Sequence, residues 1–218
     1  RRAGLEAYNP ALYAFDAYSA FLRAFPPERG AILALGLNPG PFGMAQTGIP
    51  FTDCRTAARD LGLPLEIPGR APPALARRLK KPDGRWRGTY ERSSLVMYRF
   101  LKLAWGSVGK AHRNWWVGNP CPLLFLDPEA WNVTPADPRL KRLSLMADLR
   151  LDAFERYHAA IAPRAVVCLG ADVAAVVGPL ADRLSGPGRV IRYPHPARAV
   201  PDAWARGLKA ELESRRLL

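Results

Sequence analysis

A chain of 218 residues, 49% of them hydrophobic, can bury a full core as a single domain, or as a domain carrying a large insertion. Thirty-two Lys and Arg against nineteen Asp and Glu leave a formal charge of +13, which points to a polyanionic partner, nucleic acid first. Cys54, Cys121 and Cys168 are odd in number and widely spaced, which excludes a disulfide framework or a Cys-based metal site and suggests a reducing compartment.

Taken in order, residues 10 to 25 place apolar side chains at helical spacing until Pro26-Pro27 stops them. Ala31-Ile32-Leu33-Ala34-Leu35 reads as a buried strand. It runs into Gly36-Leu37-Asn38-Pro39-Gly40-Pro41-Phe42-Gly43-Met44-Ala45-Gln46-Thr47-Gly48-Ile49-Pro50-Phe51, a stretch with four glycines and three prolines. That composition suits a rigid loop facing a ligand at a strand's carboxyl end. It lacks both the Gly-Lys-Ser/Thr ending and the G-x-G-x-x-G spacing, so it is not a phosphate loop. Thr52 or Asp53 then caps a helix through Leu61.

Residues 64 to 88 alternate prolines with Arg70, Arg77, Arg78, Lys80, Lys81, Arg85 and Arg87. Such a segment builds no core of its own and is expected on the surface, either as a solvated loop or as a phosphate-contacting flap. A helix over Ser93 to Trp105 should bury Leu95, Met97, Tyr98, Leu101 and Trp105. Trp115-Trp116-Val117 starts a second strand, and neither Trp is assigned to DNA stacking. Leu140, Leu143, Ala147, Leu151, Phe154, His158 and Ile161 step by three and four, so a long helix covers the sheet. Strands at 165–169 and 189–193 bracket a helix from Ala171 to Leu184, with a potential break at Gly178-Pro179. A terminal helix starts near Pro201.

Strands alternating with helices imply an α/β fold with a central four-stranded, mostly parallel sheet flanked by helices, in one domain over residues 1–218. Asn38, Asn119 and His195 each follow a strand, so all three fall at one edge of the sheet, where sites form. The inventory there holds no Ser–His pair, no metal cluster and no compelling carboxylate; Asp53 is read as a cap. His158 reads as structural and His112 as a surface residue. Lys102 and Lys110 are not placed at the site edge, so no lyase step is expected. A carboxamide matches a base edge that offers N–H beside C=O, Phe51 can stack on a flat ligand, and His195 can donate to an oxygen gaining charge. These groups suit bond cleavage with an anionic leaving group, and with the positive charge they suggest excision of a flipped base from DNA.

The 36–51 stretch resembles, nearly residue for residue, the first motif of the single-strand-selective monofunctional uracil-DNA glycosylase family. Asn119-Pro120-Cys121-Pro122-Leu123-Leu124-Phe125-Leu126 is similar to the central motif, Asn132-Val133-Thr134-Pro135-Ala136 to its continuation, and His195-Pro196 to the start of the last. The resemblance implies a three-layer uracil-DNA glycosylase-like fold and hydrolysis of the N-glycosidic bond of uracil, and of 5-modified uracils such as 5-hydroxymethyluracil. It implies catalytic roles for Asn38 (water) and His195 (leaving base), and base contacts from Gly40, Met44, Phe51 and Asn119. No metal or organic cofactor is expected. An Asn where related families carry Asp implies slower chemistry. His195-Pro196-Ala197-Arg198-Ala199-Val200-Pro201 is shorter than the family's last motif, which makes Arg198 the candidate wedge into the duplex. Expected partners are single- and double-stranded DNA containing uracil or modified uracil, with no membrane role, a monomeric state, and a cytoplasmic or, in a eukaryote, nuclear location. Two rivals stay open: a same-fold enzyme for hypoxanthine or xanthine, and a non-catalytic binder of damaged or single-stranded DNA.

Overall fold

The structure, a computed structural model, describes residues 4–63, 73–80, 82–83 and 90–218. Glu6–Tyr8 (β1) leads into a short helix, Pro10–Tyr13 (α1), which Asn9 caps by accepting the Ala11 N–H at 3.0 Å. Phe15–Ala24 (α2) follows, so the helix expected over 10–25 is two helices with a break at Ala14. Ile32–Leu35 (β2) is buried throughout. After it come Met44–Thr47 (α3) and Cys54–Leu61 (α4), the latter capped by Asp53, whose Oδ1 accepts the Thr56 N–H at 2.7 Å. Gly62 ends α4 in the left-handed conformation that glycine adopts without penalty.

Pro73–Leu79 (α5) falls inside the segment expected to lie wholly on the surface, yet Ala74, Leu75 and Leu79 are buried against Ala45, Leu124 and Leu126. Three apolar residues at helical spacing were enough to form a small second cluster despite the flanking prolines and arginines. Residues 64–72, 81 and 84–88 lie outside the described residues, and with them the question of a phosphate-contacting flap.

Arg92–Trp105 (α6) buries Met97, Tyr98 and Leu101 as expected, together with Val96 and Phe100, while Leu95 and Trp105 are partly buried. Val108–Asn114 (α7) precedes Trp115–Gly118 (β3), Leu124–Leu126 (β4) and Asn132–Val133 (β5). Pro138–Lys141 (α8) and Ser144–Ile161 (α9) replace the single long helix; Leu143 is the exposed residue before α9 rather than part of its buried stripe. Val166–Leu169 (β6), Ala171–Ser185 (α10), Val190–Tyr193 (β7), a 3₁₀ turn at Pro196–Arg198 and Pro201–Ser214 (α11) complete the chain. Pro179 does not interrupt α10.

The main sheet is four-stranded and parallel, in the order β3-β2-β6-β7, and helices flank it. A second, antiparallel sheet, β1-β4-β5, escaped sequence reading, because strands of two or three residues carry no usable period. Trp115 on β3 meets Phe100 of α6 at 4.9 Å between ring centroids, and Phe100 meets Trp204 of α11 at 5.9 Å. Burying each such aromatic contributes about 2–3 kcal/mol relative to leaving it in water. The register sets Leu35 beside Gly118 and Cys168, and Leu169 beside Tyr193. The four strands therefore end level, and the loops after them share one rim.

His112 departs most from expectation. It is 4% exposed, its ring lies 4.9 Å from Phe25 and 5.2 Å from Phe21, and neither ring nitrogen has a partner. Desolvation lowers its pKa to about 4, which keeps the ring neutral at neutral pH.

Candidate active site

At the rim lies a cleft of about 730 Å³, lined among others by Asn38, Gly40, Met44, Phe51, Asn119, His195 and Arg198. All seven residues singled out from sequence thus line one cavity. Gln46, the second carboxamide of the loop, does not. Its Nε2 donates to the Pro41 carbonyl at 3.0 Å and its Oε1 takes the Cys54 thiol, so it holds the loop from within.

The loop after β2 is fastened to the one after β3. Gly36 N–H donates to Gly118 O at 2.9 Å, and Cys121 N–H to Leu37 O at 3.3 Å. Gly36 has no room for a side chain: a Cβ there would stand 2.5 Å from Asn119 Oδ1 and from the Phe51 ring. Phe51 itself sits at φ +52°, a left-handed conformation that costs an ordinary residue roughly 1–2 kcal/mol. Neighbours impose it. Thr47 Oγ1 donates to Thr52 O at 2.8 Å, and Thr52 Oγ1 pairs with the Tyr98 hydroxyl at 2.9 Å. The Phe51 ring is thereby brought to 5.7 Å from the His195 ring, inclined by 37°.

Asn38 donates from Nδ2 to the Pro39 carbonyl at 3.3 Å, which leaves its Oδ1 to accept from a water. Asn119, only 3% exposed, donates from Nδ2 to the Met44 sulfur at 3.1 Å, while its Oδ1 is buried without a partner. A thioether is a weak acceptor, and an orphaned buried carbonyl costs about 1–3 kcal/mol until a donor reaches it. The Asn119 backbone also bonds the Tyr157 hydroxyl, and Tyr157 packs beneath Gly118, so the carboxamide stands on a firm base.

His195 is open to solvent on one side and flanked by protein on the others, so desolvation lowers its pKa from the ordinary histidine value. Its Nδ1 accepts the Ala197 N–H at 3.2 Å. A neutral ring that accepts at Nδ1 carries its proton on Nε2, which makes Nε2–H the donor. Arg198 is exposed on the same turn, and Arg92 clamps that turn by donating to the Ala199 carbonyl at 2.7 Å.

Two carboxyl residues outside the expected set line the cleft, Glu91 and Asp172. Glu91 sits just before α6 and lines the cavity, and its pKa is raised to about 7, by desolvation first and then by the Asp53 charge, against a bond with Ser93. Between Tyr90 and Arg92 it carries no local signal. Asp53 itself is a cap, as expected. No group of three or more His, Cys, Asp and Glu that could hold a metal occurs among the described residues, and no helix there is long and apolar enough to cross a membrane.

The profile of the uracil DNA glycosylase superfamily matches residues 23–210. The chain is 34% identical over 170 residues to the single-strand selective monofunctional uracil-DNA glycosylase of Rattus norvegicus, covering 75% of this chain and 58% of that protein. It is 35% identical over 148 residues to the Mus musculus protein of the same description, covering 64% of this chain and 50% of that one. The chain thus spans about half the length of these relatives. In fold it is similar to the crystal structure of wild-type Pedobacter heparinus SMUG2, with a TM-score of 0.72 at 17% identity, over 98% of this chain and 89% of the other. With its rim loops and their carboxamides in place, the chain belongs to the uracil DNA glycosylase superfamily.

Proposed function

We propose that this protein excises uracil from DNA by hydrolysing its N-glycosidic bond and leaves an abasic site. The observation that carries the reading is the unpartnered Asn119 Oδ1 in a cleft shared with Phe51 and His195. Uracil presents an N3–H donor beside an O4 acceptor, which complements Oδ1 and Nδ2 of one carboxamide. Cytosine presents the reverse pattern and would leave the orphan unsatisfied. The base stacks on Phe51 after leaving the helix, at an unstacking cost of a few kcal/mol that an unpaired base largely avoids.

In the reaction the C1′–N1 bond breaks and the base departs with the electron pair. Nε2–H of His195 donates to the base oxygen that gains this charge. Asn38 Oδ1 orients a water, whose oxygen forms the new bond to C1′ and whose proton passes to solvent. Asn38 cannot take that proton itself, so the step relies on the leaving group. The names of the mammalian relatives support uracil as the base and single-stranded DNA as the setting. The formal charge of +13 supports DNA in general. We extend the reading to 5-modified uracils and to double-stranded DNA, with Arg198 as the wedge, and to a monomer acting in the cytosol or nucleus.

The test is alkali cleavage of oligonucleotides carrying uracil, 5-hydroxymethyluracil, cytosine, hypoxanthine or xanthine, single- and double-stranded. Uracil should be released fastest, and Asn38→Ala should slow its release by about 100-fold. Absence of abasic product, or a purine released faster than uracil, would overturn the reading.

A further inference from the structure

The glycines at 40 and 43 are explained by Glu91. A Cβ on either one would collide with its carboxyl oxygens, so that carboxyl lies directly against the α-carbons of the loop. The same loop carries Met44, whose sulfur holds the Asn119 carboxamide. Glu91 is itself fixed. Its backbone N–H donates to Asp53 Oδ2 at 2.8 Å, and its side chain bonds Ser93 in the first turn of α6. A line of contacts therefore runs from the α4 cap through Glu91 and the loop to the group proposed to read the base.

We propose that Glu91 is a positioning residue of the base pocket: its carboxyl is the support on which the Gly40–Met44 wall rests, and it sets how closely that wall approaches a bound base. The inference rests on the proposed function and adds to it a residue that does not touch the reacting atoms. The wall itself, Gly40-Pro41-Phe42-Gly43-Met44, carries no titratable group. Asp53 accepts the Glu91 N–H, Arg92 turns its guanidinium away to Ala199, and Asp172, His195 and Arg198 share the cleft. Ionisation of Glu91 places a second negative charge beside Asp53 beneath an uncharged wall. The pocket is tightest while the carboxyl is protonated, below about pH 7.

The experiment measures KM and kcat of uracil release from a single-stranded oligonucleotide between about pH 6 and pH 8.5, for wild type, Glu91→Gln and Glu91→Ala. Wild-type KM should rise through neutral pH. Glu91→Gln keeps the shape without the charge, and its KM should stay low and flat. Glu91→Ala should raise KM about tenfold at every pH with kcat within about twofold, since the lost contact acts on bound base and transition state alike. A Gln variant that follows the wild-type KM profile, or an Ala variant with unchanged KM and an unchanged melting curve, overturns the role. A wild type that releases no uracil defeats the functional reading instead, so the two failures are distinguishable.

Discussion

His112 and His195 have the same ring and the same direction of pKa shift, and they do different things. His112 lies among Phe21, Phe25 and Tyr98, has no hydrogen-bond partner, and is held neutral by desolvation alone. His195 has one nitrogen tied to Ala197 N–H and the other free to donate, and it faces a cleft shared with the carboxamides of Asn38, Asn119 and Asn132. Lowered basicity therefore does not mark the working histidine. What marks it is a fixed tautomer beside converging polar groups.

The comparison can be broken by exchanging damage. His195→Ala should lower kcat for uracil release by about 100- to 1000-fold, the range for losing one preorganised donor, with the melting temperature unchanged. His112→Ala should do the reverse, leaving kcat within a few-fold while the protein melts earlier. A kinetic loss at His112, or a melting loss at His195 with full activity, would end the distinction.

A smaller effect tests the packing of Gly36 against Asn119 and Phe51. Gly36→Ala drives a methyl group into Asn119 Oδ1 and the Phe51 ring, so uracil release should fall about tenfold or more, seen chiefly in kcat/KM. Full activity in that variant would mean the two side chains have more latitude than their packing indicates.

Acid sharpens the contrast further. Above the ordinary histidine value of about 6.5, His112 is neutral in both folded and unfolded chains and its full contribution to stability is present. As pH falls from there toward about 4, the unfolded chain takes up a proton that the native protein refuses, and stability drops. The loss is complete below about 4 and is on the order of 3 kcal/mol. Urea titrations across this window should show that slope in wild type and a flatter one in His112→Phe; equal slopes would remove His112 as its source.

The sequence made the parallel sheet and the rim legible because buried strands read as unbroken apolar runs and the loops after them carry Gly, Pro and Asn. Asn38, Asn119 and His195 could be brought together by topology alone. Glu91 and the burial of His112 could not. Each depends on contacts between elements remote in the chain, and a polar letter beside Arg92 or Arg113 reads as surface. The α7 helix was missed for a related reason: seven residues opening Val-Gly-Lys after a Ser cap show no amphipathic period. The glycines of the opening loop also make room inside the protein. Gly36 admits Asn119 and Phe51, and Gly40 and Gly43 admit a buried carboxyl.

The strand order β3-β2-β6-β7 carries a final consequence. The loop with Asn38 leaves the second strand of the chain, the loop with Asn119 leaves the third, and His195 arrives only after the last. These segments become neighbours only when β2 has paired with β3 and β6 and β7 has joined β6. Long-range closure of this kind is slow and cooperative. A chain that stops short of Val190 lacks His195 altogether, so it would leave the proposed site without its donor and the sheet without its last strand.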